Sequence, residues 1–114
     1  MDDGIRAAGV RDRIRLVLRQ VIGIRVEGDS MSPRLNSGDV VLVDPKAPIE
    51  PGAVVLARHP FRSSVRILKR LISVEPDGRL YLEGDNPEES TDSRNFGTVS
   101  SADLLGKVIA RLKT

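Results

Sequence analysis

Two residues in this chain could start a reaction. Lys69 lies in Val65–Ser73 (VRILKRLIS), a run rich in β-branched and aliphatic residues that predicts a strand. With the two-residue period of a strand, Lys69 shares a face with Val65, Ile67 and Leu71. Arg66 and Arg70 point the other way, to solvent. A charged amine on an apolar face is costly, so burial favours the neutral form and lowers the lysine pKa. A neutral lysine is a general base. The plainer alternative is that its tip reaches back to water along the apolar stem.

Ser30 is the second residue. It stands in Gly28–Asp39 (GDSMSPRLNSGD), after a short strand and before the rigid Pro33. Gly28-Asp29 makes one turn, and Gly38-Asp39 makes a second that launches the apolar run Val40–Asp44. A serine held in a glycine turn, flanked by free backbone N–H groups, can serve as a nucleophile beside an oxyanion hole. An ordinary polar turn has the same composition.

Together these stretches resemble a known pattern. Ser30-Met31-Ser32-Pro33 followed by Gly38-Asp39 resembles the nucleophile motif of serine–lysine peptidases. Lys69-Arg70, 39 residues after Ser30, resembles their general-base motif. Type I signal peptidases and LexA-like autoproteases share that pair. Residues 84–99 (GDNPEESTDSRNFGTV) resemble a third box, found in signal peptidases and not normally in LexA-like proteins. Only 13 residues separate Arg70 from Gly84, which leaves no room for the large inserted β-domain of bacterial signal peptidases. With Ala57-Arg58-His59-Pro60, the pattern is most similar to the nickel-type superoxide dismutase maturation proteases, which remove an N-terminal propeptide.

The resemblance implies a role for each matched residue. Ser30 is the nucleophile, and neutral Lys69 takes its proton and later activates the deacylating water. Ser90 hydrogen-bonds the lysine amine and orients it. Asp92 and Arg94 are a supporting ion pair, and Gly84-Asp85-Asn86 is the turn that presents them. Met31 lines the substrate groove, and the Ser30 N–H helps hold the oxyanion. Well-studied members carry a serine two residues before the nucleophile; Gly28 stands there here, which leaves the second oxyanion donor open. The implied partner is a protein substrate with an N-terminal propeptide, a nickel superoxide dismutase precursor. No cofactor and no metal are expected.

Composition agrees with this chemistry by elimination. The 114 residues contain no cysteine and one histidine, His59, so thiol nucleophiles, iron–sulfur sites, zinc ribbons and His clusters are excluded. His59, before Pro60, reads as a loop residue rather than a base. Asp29, Asp39 and Asp44 are too few and scattered for a cation site and read as turn caps. The net charge of +2 hides a dipolar chain. Residues 58–70 carry five basic side chains and no acid, whereas 75–92 carry seven acids against Arg79 alone. With aromatics at 3%, there is no stacking platform for nucleic acid, and nucleic-acid binding is not expected.

The elements that must position these residues are mostly strands. Turn residues separate Ile24–Glu27, Val40–Asp44, Ala53–Arg58, Val65–Ser73, Arg79–Glu83 and Lys107–Leu112. Asp12–Ile22 reads as a helix with Ile14, Val17, Leu18, Val21 and Ile22 on one face, capped by Asp12 and ended by Gly23. That face either packs on the domain or, with its arginines, lies on a membrane or a partner. The expected fold is mainly β: a compact coiled-sheet or barrel-like signal-peptidase catalytic core with a short N-terminal helix. Residues 1–23 form the lead-in and helix, and residues 24–114 the peptidase domain. No stretch has the apolar length of a membrane span, and the N-terminal residues lack the apolar core of a signal peptide. A cytoplasmic protein is expected, with peripheral membrane association left open.

The leading expectation is therefore a serine endopeptidase with a Ser-Lys dyad. A LexA-like self-cleaving module is the alternative, with Ala8-Gly9 as its own scissile bond. A catalytically idle domain, binding a partner through its basic surface, is the third.

Overall fold

The computed structural model describes residues 3–112. Its strands are β1 (Arg6–Ala7), β2 (Ile22–Arg25), β3 (Val40–Asp44), β4 (Val54–His59), β5 (Arg62–Val74), β6 (Leu80–Glu83) and β7 (Leu104–Arg111). They form one seven-stranded sheet in the order β2-β3-β7-β4-β5-β6, with β1 paired to β7. The β1–β7 pair is parallel, and every other pair is antiparallel. The fold is mainly β, as the sequence predicts.

The sheet carries core on both faces. Val54 and Leu56 of β4 pack with Val41, Val43, Val26, Met31 and Leu35. Their neighbours Val55 and Ala57 turn to Leu71, Leu80, Leu82 and Val99. A strand buried on both sides must be apolar throughout, which is why VVLA shows no alternation. Bulges between Leu42/Val43, Leu56/Ala57 and Leu71/Ser73 shift the register and bend the sheet.

The N-terminal helix is shorter than predicted and starts earlier. α1 spans Val10–Val17. Asp12 does not precede it but lies within its first turn, accepting the Gly9 N–H at 2.9 Å and pairing with Arg6. The helix ends because Arg19 takes a left-handed backbone, φ 61°, and Ile22 then joins β2 opposite Val43. The β-branched Val21-Ile22 pair follows its strand propensity once the sheet offers a partner. Of the face predicted to pack on the domain or to lie on a membrane or a partner, Val21 alone is buried, and it lies beyond the helix. Val10, Ile14, Val17 and Leu18 are exposed, while the buried side of the helix is built on Asp12 and half-buried Leu16.

Candidate active site

β5 delivers Lys69. It faces Val55 of β4 across the ladder and shares the side of Ile67 and Leu71. Val65, predicted on the same buried side, is exposed near the outer end of the hairpin. Only 5% of Lys69 is exposed, so its tip does not reach back to water. The Nζ instead donates to Ser90 Oγ at 3.0 Å, and Ser90 Oγ donates to Asp92 Oδ2 at 2.6 Å.

Asp92 is wholly buried and fully engaged. It accepts the Gly84 N–H at 2.8 Å and holds Arg94 through Nε at 2.9 Å and Nη2 at 2.5 Å. Burial works against its charge, but the Arg94 guanidinium, the Ser90 hydroxyl and the Gly84 N–H hold the carboxyl well below the usual range. The Lys69 pKa is lowered too, which for an amine favours the neutral form. Burial lowers its pKa, Asp92 partly offsets this, and Arg94 lowers it further. The amine therefore has a hydroxyl for a partner, and the nearest carboxylate is already neutralised.

Asp92 caps α2 (Ser93–Phe96), and Ser93 Oγ accepts the Leu82 N–H at 2.9 Å. These bonds fasten the Gly84–Phe96 segment to β6. Gly84 is required by close approach. A Cβ there would sit 2.6 Å from Ser90 Cβ and 2.7 Å from the Ser30 carbonyl oxygen, and would meet Ser90 Oγ as well.

The Ser30 turn is tied to the same segment. The Asn86 N–H donates to the Ser30 carbonyl at 2.9 Å, and Asn86 Nδ2 donates to the Asp29 carbonyl at 3.1 Å. Gly28 begins the turn with φ 76°, a conformation that suits glycine. Among the described residues, neither the N–H nor the hydroxyl of Ser30 has a hydrogen-bond partner. Ser30 and Lys69 both line one cavity of about 550 Å³. Met31 is 1% exposed and forms part of the cavity floor and of the core beneath it. Ile24, Val26, Leu56 and Leu68 complete the apolar wall. Lys69 is hydrogen-bonded to Ser90 and not to Ser30.

Arg70 corrects the sequence reading. It does not point to solvent: its Nη2 meets Asp85 Oδ2 at 2.6 Å, and its Nη1 donates to the Gly52 carbonyl at 2.8 Å. Nη1 also lies 3.2 Å from Asp3, which in turn holds Arg34 Nε at 2.8 Å. Asp3 thus bridges the end of the nucleophile turn to the lysine strand. Simple alternation missed this, because an arginine can be buried when carboxylates and carbonyls take all its donors. The adjoining Lys69-Arg70 and Gly84-Asp85 boxes were the available signal.

The residues given milder readings stay apart from the cavity. His59 Nδ1 accepts the Phe61 N–H at 3.0 Å, and its ring lies 5.0 Å from that of Phe96. Asp39 accepts the Asn36 N–H, and Asp44 accepts the Lys46 N–H while pairing with Arg15. Among the described residues no group of three or more His, Cys, Asp or Glu could hold a metal ion. Ala8 N–H is bonded to the Arg111 carbonyl, and the Ala8-Gly9 bond does not line the cavity.

The comparison with known proteins decides the family. The profile described as Peptidase S24-like matches residues 11–109, which includes the whole cavity and the Ser90–Arg94 network. The chain belongs to the peptidase S24-like family. It is also 33% identical over 108 residues to mitochondrial inner membrane protease subunit 1 of Xenopus tropicalis, covering 75% of this chain and 65% of that one. It is 33% identical over 113 residues to mitochondrial ATP-independent inner membrane protease subunit 1a of Arabidopsis thaliana, covering 76% and 67%. With subunit 2 of the Danio rerio protease it shares 36% over 108 residues, covering 73% and 59%. The chain spans about two thirds of the length of these relatives, or less. Among the described residues no helix is long and apolar enough to cross a membrane.

Proposed function

We propose that this peptidase is a serine endopeptidase with a Ser30–Lys69 dyad, and that it removes an N-terminal propeptide from a nickel superoxide dismutase precursor. The observation that carries the chemistry is the buried Lys69 amine, bonded to a hydroxyl and not to a carboxylate, in the cavity that holds Ser30. The choice of precursor rests on the motif resemblance.

The reaction follows from this arrangement. Neutral Lys69 takes the Ser30 proton as Oγ attacks the scissile carbonyl. The oxyanion draws on the unpartnered Ser30 N–H. Collapse of the tetrahedral adduct breaks the C–N bond, and the lysine returns its proton to the leaving amine. Lys69 then deprotonates a water that releases the acyl group from Ser30. Ser90 fixes the amine throughout, and Arg94 keeps Asp92 from capturing it as an ion pair.

The substrate enters as an extended chain. Among the described residues β2 pairs with β3 alone, and Arg62–Lys69 of β5 pairs with β4 alone, so two free strand edges flank the cavity. Free edges bind peptides by adding a strand. The work is done in the cytoplasm, and the exposed apolar side of α1, beside Arg11 and Arg13, supports peripheral contact with a membrane.

The test is cleavage of the precursor by the wild-type protein and by Ser30→Ala and Lys69→Ala variants. Loss in both supports the dyad; cleavage surviving in either rejects it. A wild type that cleaves a propeptide-bearing control and spares the nickel precursor rejects the assigned substrate alone.

A further inference from the structure

We propose that the cavity accepts an acidic peptide segment, recognised by Arg58 and Arg66 on the β4–β5 hairpin and by Arg25 on β2. This rests on the reading of the cavity as the substrate groove and adds the class of substrate it takes.

The hairpin charges are arranged against its own stability. Arg58 and Arg66 are direct cross-strand partners, and both are exposed. Like charges placed directly opposite each other destabilise a sheet. No acid relieves them: among the described residues Arg25, Arg58, Arg62 and Arg66 have no ion-pair partner. Elsewhere in the protein Arg15, Arg34, Arg70 and Arg94 are each paired with a carboxylate. Arg11, Arg13 and Arg19 are likewise without an ion-pair partner among the described residues, but none of them faces a second arginine across a strand ladder.

The unpaired charges meet at the groove. Arg66 lines one wall and Arg25 the other, on the two free strand edges. Glu27 is the one acid among the lining residues. Arg58 stands two rungs beyond Leu56 and Leu68, on the same face as these residues of the apolar wall. Arg66 is three residues from Lys69, so about 10 Å of strand separates the reacting end from the basic end. An extended peptide would therefore place a carboxylate against Arg66 about three residues from its scissile bond. Opposite charge there relieves the Arg58–Arg66 repulsion as well as adding attraction, and it acts on encounter rate and on affinity.

The test compares two fluorescein-labelled dodecapeptides that are alike except that three Glu positions in one are Gln in the other. Binding to the Ser30→Ala protein is followed by anisotropy, so the readout does not depend on turnover. The Glu peptide is expected to bind about fivefold tighter at low salt, with the advantage shrinking as salt rises. Arg58→Glu with Arg66→Glu should abolish or reverse the preference. Arg11→Glu with Arg13→Glu, the same charge change on α1, should leave it intact. Equal affinity for the two peptides, or equal loss in both double variants, overturns the proposal. Preferential binding of the Glu peptide with no Ser30-dependent cleavage by the wild type would leave acidic-peptide recognition by the basic groove standing and remove the Ser30 peptidase reading.

Discussion

Arg94 grips both oxygens of Asp92, Nε to Oδ1 at 2.9 Å and Nη2 to Oδ2 at 2.5 Å, and so leaves Lys69 with Ser90 as its hydrogen-bond partner. A buried lysine beside a free carboxylate would settle as an ammonium ion pair, useless as a base at neutral pH. The arginine prevents that. It is the electrostatic partner that lets burial set the state of the amine.

Arg94→Gln should therefore raise the Lys69 pKa, because the repulsion is removed and Asp92 is freed to attract the amine. Below that pKa the rate rises with pH, so the rising limb of kcat against pH should move to higher pH. Each unit of movement lowers the neutral-pH rate about tenfold. High pH should restore much of the loss, which a merely misfolded variant would not show.

Lys69→Met tests the cost of the base. The folded Lys69 pKa lies below its ordinary 10.5, so between the two values the unfolded chain binds the extra proton. Wild-type stability should then rise with pH across that window. Replacing the amine by an apolar side chain should stabilise the protein on the order of 1 kcal/mol at pH 7, with the gain fading toward pH 10. Urea unfolding at the two pH values measures this. A variant less stable than wild type at pH 7 would contradict the desolvation argument.

Gly84→Ala should disable the site through packing alone. The new Cβ meets Ser90 and the Ser30 carbonyl at less than contact distance, and that carbonyl is backbone. The expected loss is about 2 kcal/mol in stability, with activity falling further because Ser90 and Ser30 are both displaced. Thermal unfolding and peptide cleavage report the two effects separately.

Asp3→Asn should loosen the nucleophile turn relative to β5. Asp3 bridges Arg34 and Arg70, and those two cations hold its carboxyl well below the usual range. Its contribution is present above the ordinary carboxylate pKa and is lost as pH falls through the folded value. The variant should be destabilised by about 1–2 kcal/mol at pH 7, and the difference from wild type should narrow under strongly acidic conditions.

Much of the sheet was legible because its strands are β-branched runs bounded by Gly and Pro, as in Val40–Asp44 before Pro45 and Val54–His59 after Gly52. Lys69 was legible because a two-residue period puts a single cation among Ile67 and Leu71. The helix was misjudged because its pattern ran smoothly into Val21 and Ile22, which the sheet claims, and because amphipathicity does not say which side faces inward. Arg70 and Asp3 were illegible in periodicity: their burial depends on partners 15 and 67 residues distant, which only the folded chain assembles. The Asn86 bonds to the Ser30 turn were hidden for the same reason, although the Gly84-Asp85-Asn86 box marked the place.

The central claim is that Ser30 becomes covalently acylated with Lys69 as its base. The most direct measurement is mass spectrometry of the wild-type protein quenched in acid during turnover of a peptide ester. The dyad predicts an added acyl mass confined to the peptide that contains Ser30, and none in Lys69→Ala at neutral pH. An acyl group on another residue, or turnover with no acylated Ser30, would contradict it.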